Sequence, residues 1–209
     1  MTLYLVCACS SQSTDTDAPN PPSSSETTPE TPEATRSTLD RWEPPECNVG
    51  LMAIAGEDPC FPIGQACPDG RWATPSGHET DVLYVEPGGV GDGTSPDTPL
   101  GSLRTAIEQI QEGGTIFLGA GIFSEQIQLT RPVNLRGLCS TKTILTGPAD
   151  PQATLTLNGA SVSISNLRIE SGSPAIELNP NSHLELFGVH LWQSLDSAIL
   201  IQAGASAHL

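Results

Sequence analysis

A carboxylate beside an imidazole can relay a proton, and Glu185 and His208 stand at matching phases of a repeat in the second half of the chain, with Ser163 one period earlier. Arg168 and His190 share a neighbouring phase, and Trp192 follows them, offering a ring to the apolar face of a sugar. Arg168, Glu185, His190, Trp192 and His208 are the candidate ligand-facing surface. Alternation along a strand already places polar groups at such positions, so no catalytic residue is assigned. A further outward column is expected to run Asn134, Thr156, Glu177, Leu200. Asp92, Asp97, Asp150 and Asp196 are too scattered to bracket a glycosidic bond or clamp calcium. Local turn and capping bonds are the expected role of Asp92, Asp97, Asn158 and Asn166. His78 is isolated, and Trp42 and Trp72 precede the repeat. Neither a metal ion nor a cofactor is expected.

Cys47, Cys60, Cys67 and Cys139 are disulfide candidates: their number is even, and the Pro- and Gly-rich segment holding three of them has too few apolar residues for a core of its own. Three pairings are open. A structural zinc site is the weaker reading, since there is no Cys-x-x-Cys pair and no paired His at ligand spacing. Disulfides imply an oxidising compartment and therefore export.

Val6-Cys7-Ala8-Cys9-Ser10-Ser11 resembles the lipobox of bacterial lipoproteins. That resemblance implies lipidation at Cys9, with a lipid anchor as the only membrane attachment and an outer-membrane, cell-surface or secreted location. The apolar run Leu3 to Ala8 is too short to span a bilayer, for which about 18 residues are needed. From residue 10 to 44 the chain is mostly Ser, Thr, Pro, Asp and Glu, a composition that cannot offset its ordering entropy and is expected to stay disordered as a stalk. The chain holds 24 acidic against 8 basic residues, a formal charge of −16. Such a balance excludes nucleic acid as a partner and disfavours polyanions unless a cation intervenes.

The elements that must position these residues follow from the repeat. Val162-Ser163-Ile164 and Leu167-Arg168-Ile169 recur 22 residues later as Leu184-Glu185-Leu186 and Val189-His190-Leu191. A third strand per period reads Leu155-Thr156-Leu157, Ile176-Glu177-Leu178 and Ile199-Leu200-Ile201, and Val133-Asn134-Leu135 is expected to extend it backwards by another 22. Three short strands per period return the chain to its starting point, so like strands stack in parallel. The expected fold is all-β, a right-handed parallel β-helix with about 22 residues per coil. A leucine-rich repeat fits less well, because no helical half accompanies each period.

Tyr84-Val85, Pro87-Gly88-Gly89, Asp92-Gly93-Thr94-Ser95-Pro96, Pro99-Leu100, Gly113-Gly114-Thr115-Ile116, Gly121-Ile122-Phe123 and Val133-Asn134-Leu135-Arg136-Gly137 together resemble the opening of pectate-lyase-like β-helix domains. The resemblance covers roughly residues 82 to 209 and implies a fold rather than a reaction. Independently of it, Leu103, Ala106, Ile107 and Ile110 share one helical face, with Ser102 or Thr98 as N-cap and Gly113-Gly114 as the stop. This helix is expected to cover the first coil, immediately before a first strand at Thr115 to Leu118.

The expected organisation is therefore a lipoprotein-signal-like segment at 1–9, the stalk at 10–44, a cysteine-bearing segment at 45–80 and the β-helix at 81–209. Leu209 shares the phase of Leu186 and Ile164, so further coils or a partner are expected over that end. The leading functional expectation is a noncatalytic envelope or secreted protein that presents a surface to a glycan or a protein. The alternatives are a polysaccharide lyase or glycoside hydrolase with its catalytic coils beyond residue 209, and a structural envelope component.

Overall fold

The computed structural model describes residues 45–54, 60–147, 152–194 and 197–209. Cys9, the stalk, Trp42, Asp150 and Asp196 lie outside the described residues. The described residues fall in one compact unit, Pro44–Leu209.

In chain order, β1 (Leu51–Met52) and β2 (Phe61–Pro62) form a small antiparallel pair. Then come β3 (Val82–Val85), the helix α1 (Leu103–Gln109), β4 (Thr115–Leu118), β5 (Gly121–Ser124) and β6 (Ile127–Leu129). The next coil holds β7 (Val133–Gly137), β8 (Thr143–Thr146) and β9 (Leu155–Leu157), and the next β10 (Ser161–Ser165), β11 (Arg168–Glu170) and β12 (Ile176–Leu178). β13 (His183–Phe187), β14 (His190–Trp192), β15 (Ile199–Ile201) and β16 (Ser206–His208) complete the described strands. They stack in parallel as three sheets: β3-β4-β7-β10-β13-β16, β5-β8-β11-β14 and β6-β9-β12-β15. The molecule is an all-β parallel solenoid, as the repeat predicts.

Partners in the six-stranded sheet fall at Thr115, Asn134, Ser163, Glu185 and His208, spacings of 19, 29, 22 and 23 residues. The coil therefore averages about 23 residues, and its lengths are uneven. That unevenness overturns one expectation. Val133 pairs with Val162 rather than standing one coil before Leu155, whose true predecessor is Ile127. The column Asn134, Thr156, Glu177, Leu200 consequently does not exist: Asn134 belongs with Ser163, while Gln128, Thr156, Glu177 and Leu200 align on another sheet. Turns of a solenoid accept extra residues without disturbing strand pairing, so a constant offset can link strands of different sheets.

Inward columns make the core. Leu83, Ile116, Leu135, Ile164 and Leu186 stack on the first sheet, Phe123, Leu145, Ile169 and Leu191 on the second, and Leu129, Leu157, Leu178 and Ile201 on the third. Each fully buried Leu or Ile among them contributes about 1.5–3 kcal/mol relative to exposure. Turn amides add a ladder of their own: Asn179 Nδ2 donates to Asn158 Oδ1 at 2.6 Å, and the backbone N–H groups of Asn158 and Asn179 bond to Leu129 and Leu157 one coil back.

Helix α1 starts where Ser102 Oγ accepts the Thr105 N–H. The Glu125 carboxylate accepts the N–H groups of Leu103 and Arg104, satisfying two further donors that a helix leaves free at its start. Leu103, Ala106 and Ile110 are buried in the core of the solenoid. The helix is thus the cap expected from its apolar face, with one correction. β3 precedes it and pairs in parallel with β4, so the sheet begins one strand earlier than Thr115.

Candidate functional site

Residues 60–80 run as a strap over the outer face of the six-stranded sheet. Two disulfides tie this region: Cys47–Cys60, which closes the small β1-β2 pair, and Cys67–Cys139, with Cα atoms 5.2 Å apart, which joins the strap to the solenoid. Side chains reinforce the second link, Ser140 Oγ donating to the Ile63 carbonyl and Lys142 Nζ to that of Pro68. Strap and sheet touch backbone to backbone at Gly64 and Gly188. A Cβ on Gly188 would stand 2.7 Å from the Gly64 Cα and 2.9 Å from Asn166 Oδ1, so both positions demand glycine.

The strap covers one end of an outward column that reads Tyr84, Phe117, Arg136, Ser165, Phe187. Trp72 meets Tyr84 edge-on at 5.1 Å, Tyr84 stacks on Phe117 at 5.4 Å, and the Arg136 guanidinium lies 5.7 Å from the Phe117 ring centre. Phe117 is fully buried although it points away from the core, whereas Phe187, beyond the strap, is 65% exposed.

Between them lies an open groove of about 400 Å³. Its floor is Thr115, Asn134, Arg136, Ser163 and Ser165, its wall is Gln65, Ser76, His78, Glu79 and Thr80, and Phe187 stands at its rim. Asn134 Nδ2 donates to the Gly113 carbonyl. Glu79 accepts from the N–H and hydroxyl of Ser76 and the N–H of Gly77, and its Oε1 lies 3.4 Å from Arg136 Nη1. The Ser76 N–H above all holds the Glu79 pKa down to about 2. Asn166 is buried at the inner edge with a left-handed backbone, φ 55°, and its Oδ1 has no hydrogen-bond partner.

The sequence candidates divide between two faces. Ser163, Glu185 and His208 stand in register on the six-stranded sheet, on the same face as the groove. His183, which the sequence reading passed over, joins them: its Nδ1 lies 2.8 Å from Ser206 Oγ and its ring centre 5.8 Å from that of His208. Its position two residues before Glu185 on the same strand was the available signal.

Arg168, His190 and Trp192 lie on the β5-β8-β11-β14 sheet instead. Arg168 is 9% exposed and forms an ion pair with Glu170, Nε to Oε1 2.7 Å. His190 packs edge-on against Trp192 at 5.2 Å, and its Nδ1 is buried without a partner. Burial, then the neighbouring Arg168 charge, lowers the His190 pKa against a smaller opposing pull from Glu170.

Asp92 is absorbed by its own turn, its Oδ1 accepting from the Thr94 N–H and the hydroxyls of Thr94 and Thr98. His78 is exposed on the groove wall. Among the described residues no three His, Cys, Asp or Glu side chains stand already gathered around one point to hold a metal ion. Compared with protein-family models, with curated proteins and with solved structures, the chain matches none.

Proposed function

We propose that the protein is an exported, noncatalytic binder whose open groove, walled by the strap, receives an uncharged glycan. The observation that carries this reading is the lining: amide, hydroxyl and guanidinium groups at Asn134, Ser163, Ser165 and Arg136 lie along one outer face, with an exposed phenyl ring, Phe187, at the rim. Sugars present hydroxyls in fixed directions and an apolar C–H face, so planar polar side chains beside one ring suit them. The buried Asn166 carbonyl without a partner marks the same edge of the groove. The net charge of −16 and the Glu79 carboxylate work against an acidic polymer.

Export is argued from the two disulfides, which persist in oxidising compartments. Attachment is argued from the lipobox-like residues before Cys9. Fatty-acid labelling of the full chain in a bacterial host should be lost in Cys9→Ala, and undiminished labelling would remove the anchor from the proposal.

The binding claim is tested by calorimetric titration with neutral oligosaccharides and with matched uronates. Retained neutral binding that weakens about tenfold in Phe187→Ala and in Asn134→Ala, with little uronate binding, supports the reading. Affinity untouched by both substitutions places the ligand elsewhere. A preference for uronates rejects the uncharged class.

A further inference from the structure

We propose that His183, Glu185 and His208 form a binding site for a divalent transition cation, with zinc the ion their donors fit best. This inference is independent of the glycan reading. It comes from the outer face of the last two strands of the six-stranded sheet, away from the groove wall.

Parallel pairing sets the donors. His183 and Glu185 are two residues apart on β13 and face outward together, while β16 places Ser206 opposite His183 and His208 opposite Glu185. The two imidazole centres are 5.8 Å apart. Two rings bound to one zinc, at Zn–N distances of about 2.0–2.1 Å, have centres roughly 5–6 Å apart, so the two rings are spaced as ligands of one ion would be, and rotation of the side chains has to bring their nitrogens and the carboxylate together. Glu185 Oε1 lies 3.7 Å from His183 Nε2, which brings a carboxylate to the same side of that ring.

Ser206 gives the arrangement a direction. If His183 donates its Nδ1–H to Ser206 Oγ at 2.8 Å, the lone pair is left on Nε2, the nitrogen beside Glu185. An imidazole fixed through one nitrogen by a neighbouring oxygen and coordinating through the other is the usual state of a metal-bound histidine. The side chains of His183 and Glu185 are 40% and 63% exposed, free to turn the short way onto an ion. Two imidazoles and a carboxylate select zinc or copper over calcium or magnesium, which take oxygen donors. Three protein donors leave one tetrahedral position for water or for an oxygen of a ligand. The chain charge of −16 concentrates cations at the surface.

Cys7 and Cys9 are a rival thiolate pair, so the test uses the full chain with both changed to Ser. Titration with zinc chloride at about pH 7.5 should show one ion per chain with a micromolar dissociation constant. His183→Gln and His208→Gln should each weaken binding about tenfold or more, and Ser206→Ala by a smaller factor. His78→Gln and His190→Gln should leave it unchanged. Binding that survives the double change of His183 and His208, or none below millimolar zinc, overturns the site. Copper loading of the same protein supplies a second measurement: electron paramagnetic resonance should show coupling to two nitrogen donors, and an oxygen-only spectrum would equally reject it.

Discussion

Glu79 and His190 show how single titratable groups record their surroundings. Three donors from Ser76 and Gly77 converge on the Glu79 carboxylate, and its folded pKa of about 2 lies well under the ordinary 4.5. A depressed carboxylate stabilises the fold fully above its unfolded pKa, and that contribution is lost as pH falls from about 4.5 towards about 2. In Glu79→Gln the acid limb of melting temperature against pH should therefore flatten within that window, with the neutral value also reduced. His190 has the opposite charge type. Its pKa is lowered from 6.5, so the unfolded chain takes up the proton first. The stability associated with the neutral ring is complete above about pH 6.5 and declines as pH falls below it, until the folded ring also protonates. Thermal melts between pH 7 and pH 5 should decline less steeply in His190→Gln than in the parent chain, and equal slopes would show that the ring is not held neutral.

At the scale of elements, the strap depends on its cross-link and on close backbone contact. Cys67–Cys139 closes a loop of 72 residues and Cys47–Cys60 one of 13. Loop-closure entropy assigns about 4 kcal/mol to the longer and about 3 to the shorter, so denaturant titration of Cys67→Ser paired with Cys139→Ser should show the larger loss. Gly188→Ala should cost about 1–3 kcal/mol through overpacking against Gly64, and it should also reduce ligand affinity by lifting the groove wall. The stacked strands were legible because inward residues of each coil repeat a simple alternation, as in Val162 and Ile164 followed by Leu184 and Leu186. The strap was not, since its contacts with Gly188 and Cys139 span long sequence distances and leave no periodic mark. Cysteine parity alone pointed to a cross-link, without saying which pairs. Val133 was misplaced for a related reason: extra turn residues on either side of β8 shift the strands without altering their pattern.

For the whole molecule, a solenoid is held by contacts between neighbouring coils, so local stability depends on how many neighbours a coil has and on how its end is covered. At one end α1 buries Leu103 and Ile110 against the first coil. The middle coil, β10-β11-β12, pairs on both sides in all three sheets. β14, β15 and β16 each pair on one side only, and the inward-facing Ile201 remains 48% exposed. Opening these last strands breaks one ladder per sheet and exposes little apolar surface that was not already partly wet, whereas opening β11 breaks two and uncovers Ile169, which is fully buried. Hydrogen exchange of the 209-residue chain should accordingly follow a gradient, with the amides of β10, β11 and β12 exchanging only through global unfolding and those of β14 to β16 through local opening. Side-chain truncation should show the same order: Ile164→Ala should cost about 2–5 kcal/mol, and Ile201→Ala about 1 kcal/mol or less. Uniform protection along the six-stranded sheet would mean that the end coil is covered in solution, and dilution would then separate a second copy, whose protection falls with concentration, from cover within the chain itself.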